Sequence, residues 1–287
     1  APLMLHESGL DEVVCRELNL KTKEPDLAEW KDMVQKIRKR KKEVVIAIVG
    51  KYVRLPDAYL SIIESLNHAG YDTGSIVKIK WIESSDVTKE NVADKLKDAK
   101  GIIIPGGFGD RGVEGKITAC HYARENNIPY LGICLGMQIA VIEFAWNVCG
   151  LKDAHSSEFN EICAHPVIDL MEDQIGITRK GGTMRLGAYP CMTKKGTKLQ
   201  DLYGKEFISE RHRHRYEFNN KYREIMTQNG MVISGISPDN KLVEAIELNN
   251  HRFFIGVQYH PEFKSRPNKP HPLFLGLVKA ALGQENN

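Results

Sequence analysis

The sequence predicts an α/β fold in which a central mixed, mostly parallel sheet is flanked by helices and a cysteine sits on a strand-to-helix elbow. Three observations predict it. From residue 44 to residue 148, short β-branched runs alternate with amphipathic helical stretches, the pattern of a parallel sheet covered on both faces. From residue 207 onward, strand-like runs follow one another with few helices between them, which adds antiparallel pairing. Within the first stretch lies Gly132-Ile133-Cys134-Leu135-Gly136, a nucleophile elbow with cysteine in the serine position.

Each element follows from its residues. Two short helical patterns, near 8–18 and 26–40, run into the basic segment Lys36-Ile37-Arg38-Lys39-Arg40-Lys41-Lys42. That segment reads as a solvated helix end and linker, since it lacks interleaved aromatics. Val44–Val49 is a continuous β-branched run ending at Gly50, as in a strand buried on both faces. Pro56–Ala69 is amphipathic, with Tyr59, Leu60, Ile62, Ile63 and Leu66 at helical spacing. Pro56 suits its first turn and Gly70 its C-cap. Ile76–Ile82, Gly101–Ile104 and Ile128–Ile133 read as strands. Asn91–Lys97, Val113–Asn126 and Leu135–Val148 read as helices. Phe207–Ser209, Met231–Ile236, Leu242–Leu248 and Phe253–Gln258 are further strands. A helix is expected near Asn219–Thr227, and Leu273–Leu282 closes the fold.

The bulk numbers bound the function. The chain has 287 residues, enough for one large domain or one domain plus an appendage. Mean hydropathy is −0.35, and no apolar run approaches the ~18 residues of a membrane span. The start, Ala1-Pro2-Leu3-Met4-Leu5-His6, lacks the basic residues and apolar core of a signal peptide. It also lacks an initiator Met, so a processed chain or an excised fragment is expected. A net charge of +3 is too mild to imply nucleic acid. The six cysteines form no C-x-x-C pair. They read as free thiols in a reducing cytoplasm.

The elbow carries the first chemical argument. Its two glycines let the backbone pass close to itself in a sharp turn. The cysteine then projects at a helix N-terminus, where free N–H groups and the helix dipole favour a thiolate. Buried cysteines at strand ends are common, and the flanking glycines are what separate Cys134 from them. A thiolate hydrolase needs a base, and Gln258-Tyr259-His260-Pro261-Glu262 supplies one. Pro261 pushes His260 toward an extended conformation, in which residues two apart share a side. Glu262 can then orient the His260 ring and stabilise its cation.

Pro105-Gly106-Gly107-Phe108-Gly109 follows a strand and lies at the C-terminal sheet edge, where α/β folds place ligands. One backbone N–H from this stretch plus the Leu135 N–H would make a two-donor oxyanion hole. Gly107 through Gly112 also matches G-x-G-x-x-G. A dinucleotide site needs an acidic residue at the end of the next strand, and here that strand runs into Cys134. No Walker-type phosphate loop is present. Arg211-His212-Arg213-His214-Arg215 reads as a loop after a strand. It is either a solvated basic turn or a site for a carboxylate or phosphate. His212 and His214 lack a third ligand at metal spacing.

Together these residues resemble the class I, triad-type glutamine amidotransferases, which carry G-x-C-x-G and His-x-Glu. The stretches Lys51–Tyr59, Pro105–Gly115, Gly132–Gln138, Ser156–Phe159, Gly182–Gly187, Glu210–Tyr216 and His260–Phe263 narrow the resemblance to the glutaminase domain of the CTP synthase family. It covers 44–282, and 1–43 looks like the tail of that family's synthetase domain with a linker. The resemblance implies the class I glutamine amidotransferase fold for 44–287. It implies hydrolysis of L-glutamine through a Cys134 thioester, with Cys134, His260 and Glu262 as the triad. Gly107 and Leu135 would form the oxyanion hole. Gly107, Leu135, Gly136, Met137, Gln138, Glu158 and Arg215 would bind glutamine, Glu158 at its α-amino group and Arg215 at its α-carboxylate. Gly182–Gly187 resembles a lid. The implied partner is the synthetase domain, where ammonia would aminate UTP to CTP. ATP, UTP and Mg belong to that absent domain, and no cofactor to this one. GTP is the implied allosteric activator, with Arg111 and Glu114 near its site. The full-length enzyme would be a cytoplasmic homo-oligomer, with no nucleic-acid, membrane or metal site in this part. A γ-glutamyl hydrolase or a non-catalytic regulatory module are the alternatives. Paired Glu158 and Arg215 speak against the first, and an intact Cys134 and His260 against the second.

Overall fold

The computed structural model of the protein describes residues 2–53, 55–170 and 184–284. Three N-terminal helices, α1 (Pro2–Glu7), α2 (Leu10–Glu17) and α3 (Ala28–Lys39), contain no buried residue. The α/β body then begins with β1 (Lys42–Gly50), a turn of 3-10 helix (Pro56–Tyr59) and α4 (Leu60–Asp72). It continues through β2 (Ser75–Glu83), α5 (Val92–Leu96), β3 (Gly101–Ile104), α6 (Val113–Glu125), β4 (Tyr130–Ile133) and α7 (Leu135–Asn147). Next come β5 (Ala154–Ser156), β6 (His165–Leu170), β7 (Arg185–Thr193), α8 (Lys198–Tyr203), β8 (Phe207–His214) and β9 (Tyr216–Phe218). The chain ends through α9 (Arg223–Gln228), β10 (Met231–Ile236), β11 (Val243–Leu248), β12 (Phe254–Val257) and α10 (Pro272–Ala281).

Among the described residues, nine strands form one sheet in the order β2-β1-β3-β4-β12-β11-β10-β7-β8, and β5-β6-β9 form a small second sheet. The large sheet is mixed, as expected, but its pairings divide evenly. β1–β2, β1–β3, β3–β4 and β4–β12 are parallel. β11–β12, β10–β11, β7–β10 and β7–β8 are antiparallel. The expectation of a mostly parallel sheet missed β7, which carries Gly187 and Pro190, and the length of β8.

The core lies on both faces of the parallel half. Alternate residues of a strand point to opposite faces, so Val44, Ile46 and Ile48 of β1 join α4 and α10 while Ala47 and Val49 join α6 and α7. β3 divides likewise, Ile103 against Ile102 and Ile104. Helix α7 is buried from Leu135 to Ala145; at about 1.5–3 kcal/mol per large apolar side chain, it anchors the sheet. Gly70, expected as a C-cap, is buried inside α4, which continues to Asp72 before turning at Gly74.

This topology sets the position of the site. β1, β3, β4 and β12 are parallel neighbours, so their C-terminal ends open on one edge of the sheet. Lys51, Pro105–Gly109, Cys134 and Gln258–Glu262 all leave from that edge.

Candidate active site

Cys134 is the N-cap of α7 and holds φ 51°, ψ −102°, a strained conformation for a residue with a Cβ. The strain belongs to the elbow. A Cβ at Gly132 would come within 2.6 Å of the Gly136 backbone, and one at Gly136 within 2.0 Å of the Ile104 oxygen. No side chain fits either position, so the first turn of α7 lies directly on β3 and β4. The Cys134 N–H donates to the Val257 oxygen at 2.7 Å, tying the elbow to β12. Cys134 itself is 5% exposed.

His260 leaves the end of β12. Its N–H donates to the Arg211 oxygen at 2.7 Å, which fixes its backbone against β8. Its Nδ1 lies 2.8 Å from Glu262 Oε1. A carboxylate only accepts, so Nδ1 carries the proton and Nε2 is the ring nitrogen left to exchange a proton with Cys134, which lines the same cavity. The route to this contact differs from the expectation. Pro261–Phe263 form a turn of 3-10 helix, so Glu262 reaches the ring from a helical turn and not along an extended segment. Burial opposes charge on His260, but the Cys134 sulfur and the Glu262 carboxylate outweigh it and hold the imidazole well above its ordinary range.

The glycine against this pair is Gly106. A Cβ there would lie 2.8 Å from His260 Cε1 and 3.5 Å from Cys134 Cβ, whereas one at Gly107 would make only an ordinary contact with Leu135. Sequence reasoning singled out Gly107; the doubled glycine was the available signal for its neighbour. Leu135 is the first residue of α7, where helical N–H groups have no intrahelical acceptor.

Cys134 lies where two cavities of about 410 Å³ each approach it. One is lined by Gly107, Gln138, Glu158, Met184, His214 and Arg215, among others. It brings together the residues expected at the two charged ends of glutamine. The other is lined by Lys51, Tyr59, Lys116, His260 and Glu262, among others. Phe108 and Arg213 border both, the guanidinium 5.5 Å from the ring centre. Burial, with Lys51 nearby, holds the Lys116 amine down to about 7. Gly136 and Met137 are buried in the elbow and line neither cavity. Arg111 and Glu114 sit outside both cavities, at the start of α6, with Arg111 donating to the Lys51 oxygen at 2.7 Å. Of the expected lid, residues 182 and 183 lie outside the described residues; Met184 lines the first cavity and Arg185 opens β7.

The basic run is a strand, not a loop. Arg211, Arg213 and their neighbours alternate with buried Glu210, His212 and His214 along β8, and Arg215 stands at the bend into β9. Alternation of charge with a titratable residue hid the strand, because neither kind looks apolar. Burial, then the nearby Arg185 guanidinium, pushes His212 down to about 2 and His214 down to about 3, so both are neutral. His214 Nδ1 donates to the Tyr216 oxygen at 3.1 Å, and its Nε2 lies 3.1 Å from His212 Nδ1, which also faces an Arg185 nitrogen at 3.3 Å. Arg185 grips Glu244 of β11 with both nitrogens, at 3.0 and 2.6 Å.

One polar contact to the Cys134 sulfur was missed altogether. Gln258, fully buried at the end of β12, places Nε2 3.6 Å from Cys134 Sγ. An amide closing an otherwise apolar strand was its signal in the sequence.

The family model of the class-I glutamine amidotransferases matches residues 54–280. CTP synthase of Geobacillus kaustophilus is 57% identical over 281 residues, 98% of this chain and 53% of that protein. CTP synthase of Carboxydothermus hydrogenoformans is 59% identical over 281 residues, 98% of this chain and 52% of that protein. CTP synthase of Bacillus subtilis is 54% identical over 285 residues, 99% and 53%. The chain thus spans about half the length of these relatives. The glutaminase domain of Trypanosoma brucei CTPS, solved with bound acivicin, superposes with a TM-score of 0.80 at 38% identity, covering 85% of this chain and 96% of that one.

Proposed function

The chain belongs to the class-I glutamine amidotransferases, among the glutaminase domains of CTP synthases, and on that premise we propose that it hydrolyses L-glutamine through a Cys134 thioester to feed ammonia to a synthetase domain. The observation that carries this reading is Cys134 on a strained elbow, paired with the His260–Glu262 couple, at the floor of a cavity bordered by Glu158 and Arg215.

In the proposed reaction the Cys134 thiolate attacks the side-chain carbonyl carbon of glutamine. The oxyanion is held by the Gly107 and Leu135 N–H groups, each worth roughly 3 kcal/mol. His260, protonated at Nε2, gives that proton to the departing nitrogen, and ammonia leaves. Neutral His260 then takes a proton from water, the hydroxide attacks the thioester, and glutamate departs as the thiolate is restored. Glu262 holds Nδ1–H throughout, so the ring presents Nε2 in both halves. The Glu158 carboxylate would hold the α-amino group and Arg215 the α-carboxylate, which selects a free amino acid.

Three further readings go with this. Residues 1–43 are the end of a synthetase domain and its linker; their exposed Met4, Leu5, Leu10 and Leu18 suit a surface covered by the rest of that domain. ATP, UTP and Mg act there, in a cytoplasmic homo-oligomer. GTP activates glutamine hydrolysis, with Arg111 and Glu114 in or beside its site. Among the described residues, no helix is long and apolar enough to cross a membrane.

The experiment is glutamate and ammonia release from glutamine by the 287-residue chain, with and without GTP. Turnover that is low alone and raised by GTP is expected. Absence of release under both conditions, with Cys134 also inert to a diazo-ketone glutamine analogue, would refute the reading.

A further inference from the structure

The amide of Gln258 faces the sulfur of Cys134, and its orientation is dictated by the atoms around it. The Tyr216 oxygen is a backbone carbonyl and can only accept. It lies 2.9 Å from the Gln138 side-chain amide, so the atom facing it is Gln138 Nε2. The same Nε2 lies 3.2 Å from the Gln258 amide, which must therefore present its oxygen, Oε1. The Gln258 nitrogen is left facing Sγ, at 3.6 Å. One carbonyl thus sets two amides in series, and the series ends as an N–H donor on the nucleophile.

The backbone holds this donor in place. Gly132 pairs with Gly256 and Ile133 with Val257 in the parallel register of β4 and β12. Cys134 and Gln258 are the next residues of each strand, side by side. The Gln258 N–H donates to the Glu244 oxygen at 2.8 Å, and the residue is wholly buried.

We infer that Gln258 is a catalytic residue, a fixed hydrogen-bond donor that favours the thiolate of Cys134 over its thiol. The inference rests on Cys134 being the nucleophile. A thiol sulfur is a feeble acceptor, while a charged acceptor makes hydrogen bonds about twice as strong as a neutral one, so the donor discriminates between the two forms. It acts at both ends of the cycle: it raises the fraction of thiolate that attacks and stabilises the thiolate that leaves. The gain is partial, because a stabilised thiolate is also less nucleophilic, with a Brønsted slope of about 0.4–0.5.

The test is the pH profile of iodoacetamide alkylation at Cys134, followed by mass spectrometry of its peptide, together with steady-state glutamine hydrolysis. Gln258→Met keeps length and removes the donor. Gln258→Glu keeps shape and places an acceptor on the sulfur. In Gln258→Met the alkylation profile should move to higher pH by about one unit. Its plateau rate should rise roughly threefold, as the Brønsted slope requires. The value of kcat should fall while KM for glutamine stays within about twofold. Gln258→Glu should displace the profile further. A merely structural Gln258 would lower rates at every pH without displacing the profile. Should either variant fail to fold, the other decides, and in the wild-type chain the Gln258 side-chain amide proton should titrate by NMR with the alkylation midpoint. Unmoved profiles in the folded variants, or an amide resonance indifferent to that midpoint, overturn the inference. If the wild-type Cys134 resists both iodoacetamide and the diazo-ketone analogue, the proposed function itself has failed.

Discussion

The two halves of the large sheet contribute to the site in different ways. In the parallel half, β4 and β12 are apolar on both faces, and Cys134 and His260 stand one and three residues past their ends. In the antiparallel half, β8 turns Glu210, His212 and His214 inward and Arg211 and Arg213 outward, and Arg215 follows at its end. Cys134 and His260 are thus placed by strand ends that burial makes rigid. Arg215, proposed to bind substrate, is placed by a polar seam whose stability rests on hydrogen bonds and the Arg185–Glu244 pair. A half built on apolar packing tolerates loss of a reactive side chain, because the scaffold does not depend on it. A half built on buried polar groups couples binding to stability and to pH.

The comparison can be broken first at Cys134. Cys134→Ala should abolish glutamine hydrolysis and labelling by a diazo-ketone glutamine analogue while leaving thermal stability close to wild type. Labelling that persists at another cysteine, read by mass spectrometry, would move the nucleophile elsewhere.

The next effect separates base from orienter. His260→Ala should cost roughly a thousandfold in kcat, within the range of general acid–base catalysis. Glu262→Ala should cost about ten- to a hundredfold, since the ring keeps its Nε2 but loses its anchor. Equal losses in two folded variants would show that Glu262 does more than orient.

Arg215 tests the other half. Remote binding of an α-carboxylate is similar in ground and transition states and shows mainly in KM. A bidentate charge-assisted pair is worth about 1.5–3 kcal/mol, so Arg215→Ala should raise KM roughly ten- to a hundredfold. Lys at this position should rescue only partly. Steady-state kinetics on Arg211→Ala and Arg213→Ala complete the test, since a larger KM effect at either would relocate the clamp.

The smallest effect sharpens the contrast through pH. His212 and His214 are pushed down to about 2 and about 3, below an unfolded value near 6.5. The unfolded chain therefore takes up protons below pH 6.5 that the folded chain refuses, so the stabilisation is complete above 6.5 and declines as pH falls. Urea unfolding of wild type should lose more stability between pH 7 and pH 5 than His212→Asn/His214→Asn, by roughly 2–4 kcal/mol. Equal losses would mean that the pair is charged when folded.

How much of this was legible depended on the residues involved. Strands β1, β3 and β4 and helices α6 and α7 were readable because apolar residues recur at the period of each element. The elbow was readable because both of its glycines sit within two residues of Cys134. Strands β5, β6 and β9 were not, since they are short or carry polar residues such as His155, Asp169 and Glu217, and β7 was hidden by its Gly187 and Pro190. For β8 the error was one of kind: five basic residues in a row look solvated, and only its pairing with β7 and the seam beneath it bury His212 and His214.

By itself the sequence determined the alternation of elements, the elbow and the local His260–Glu262 couple, because each is written in residues close along the chain. Only the tertiary structure decided which residues meet across it. Gln258 reaches the Cys134 sulfur 124 positions away, His260 leans on Arg211, and Glu158 and Arg215 share one cavity. Contacts of this kind are set by strand order and register, which arise from burying both faces of the whole sheet at once, and no local pattern of residues encodes them.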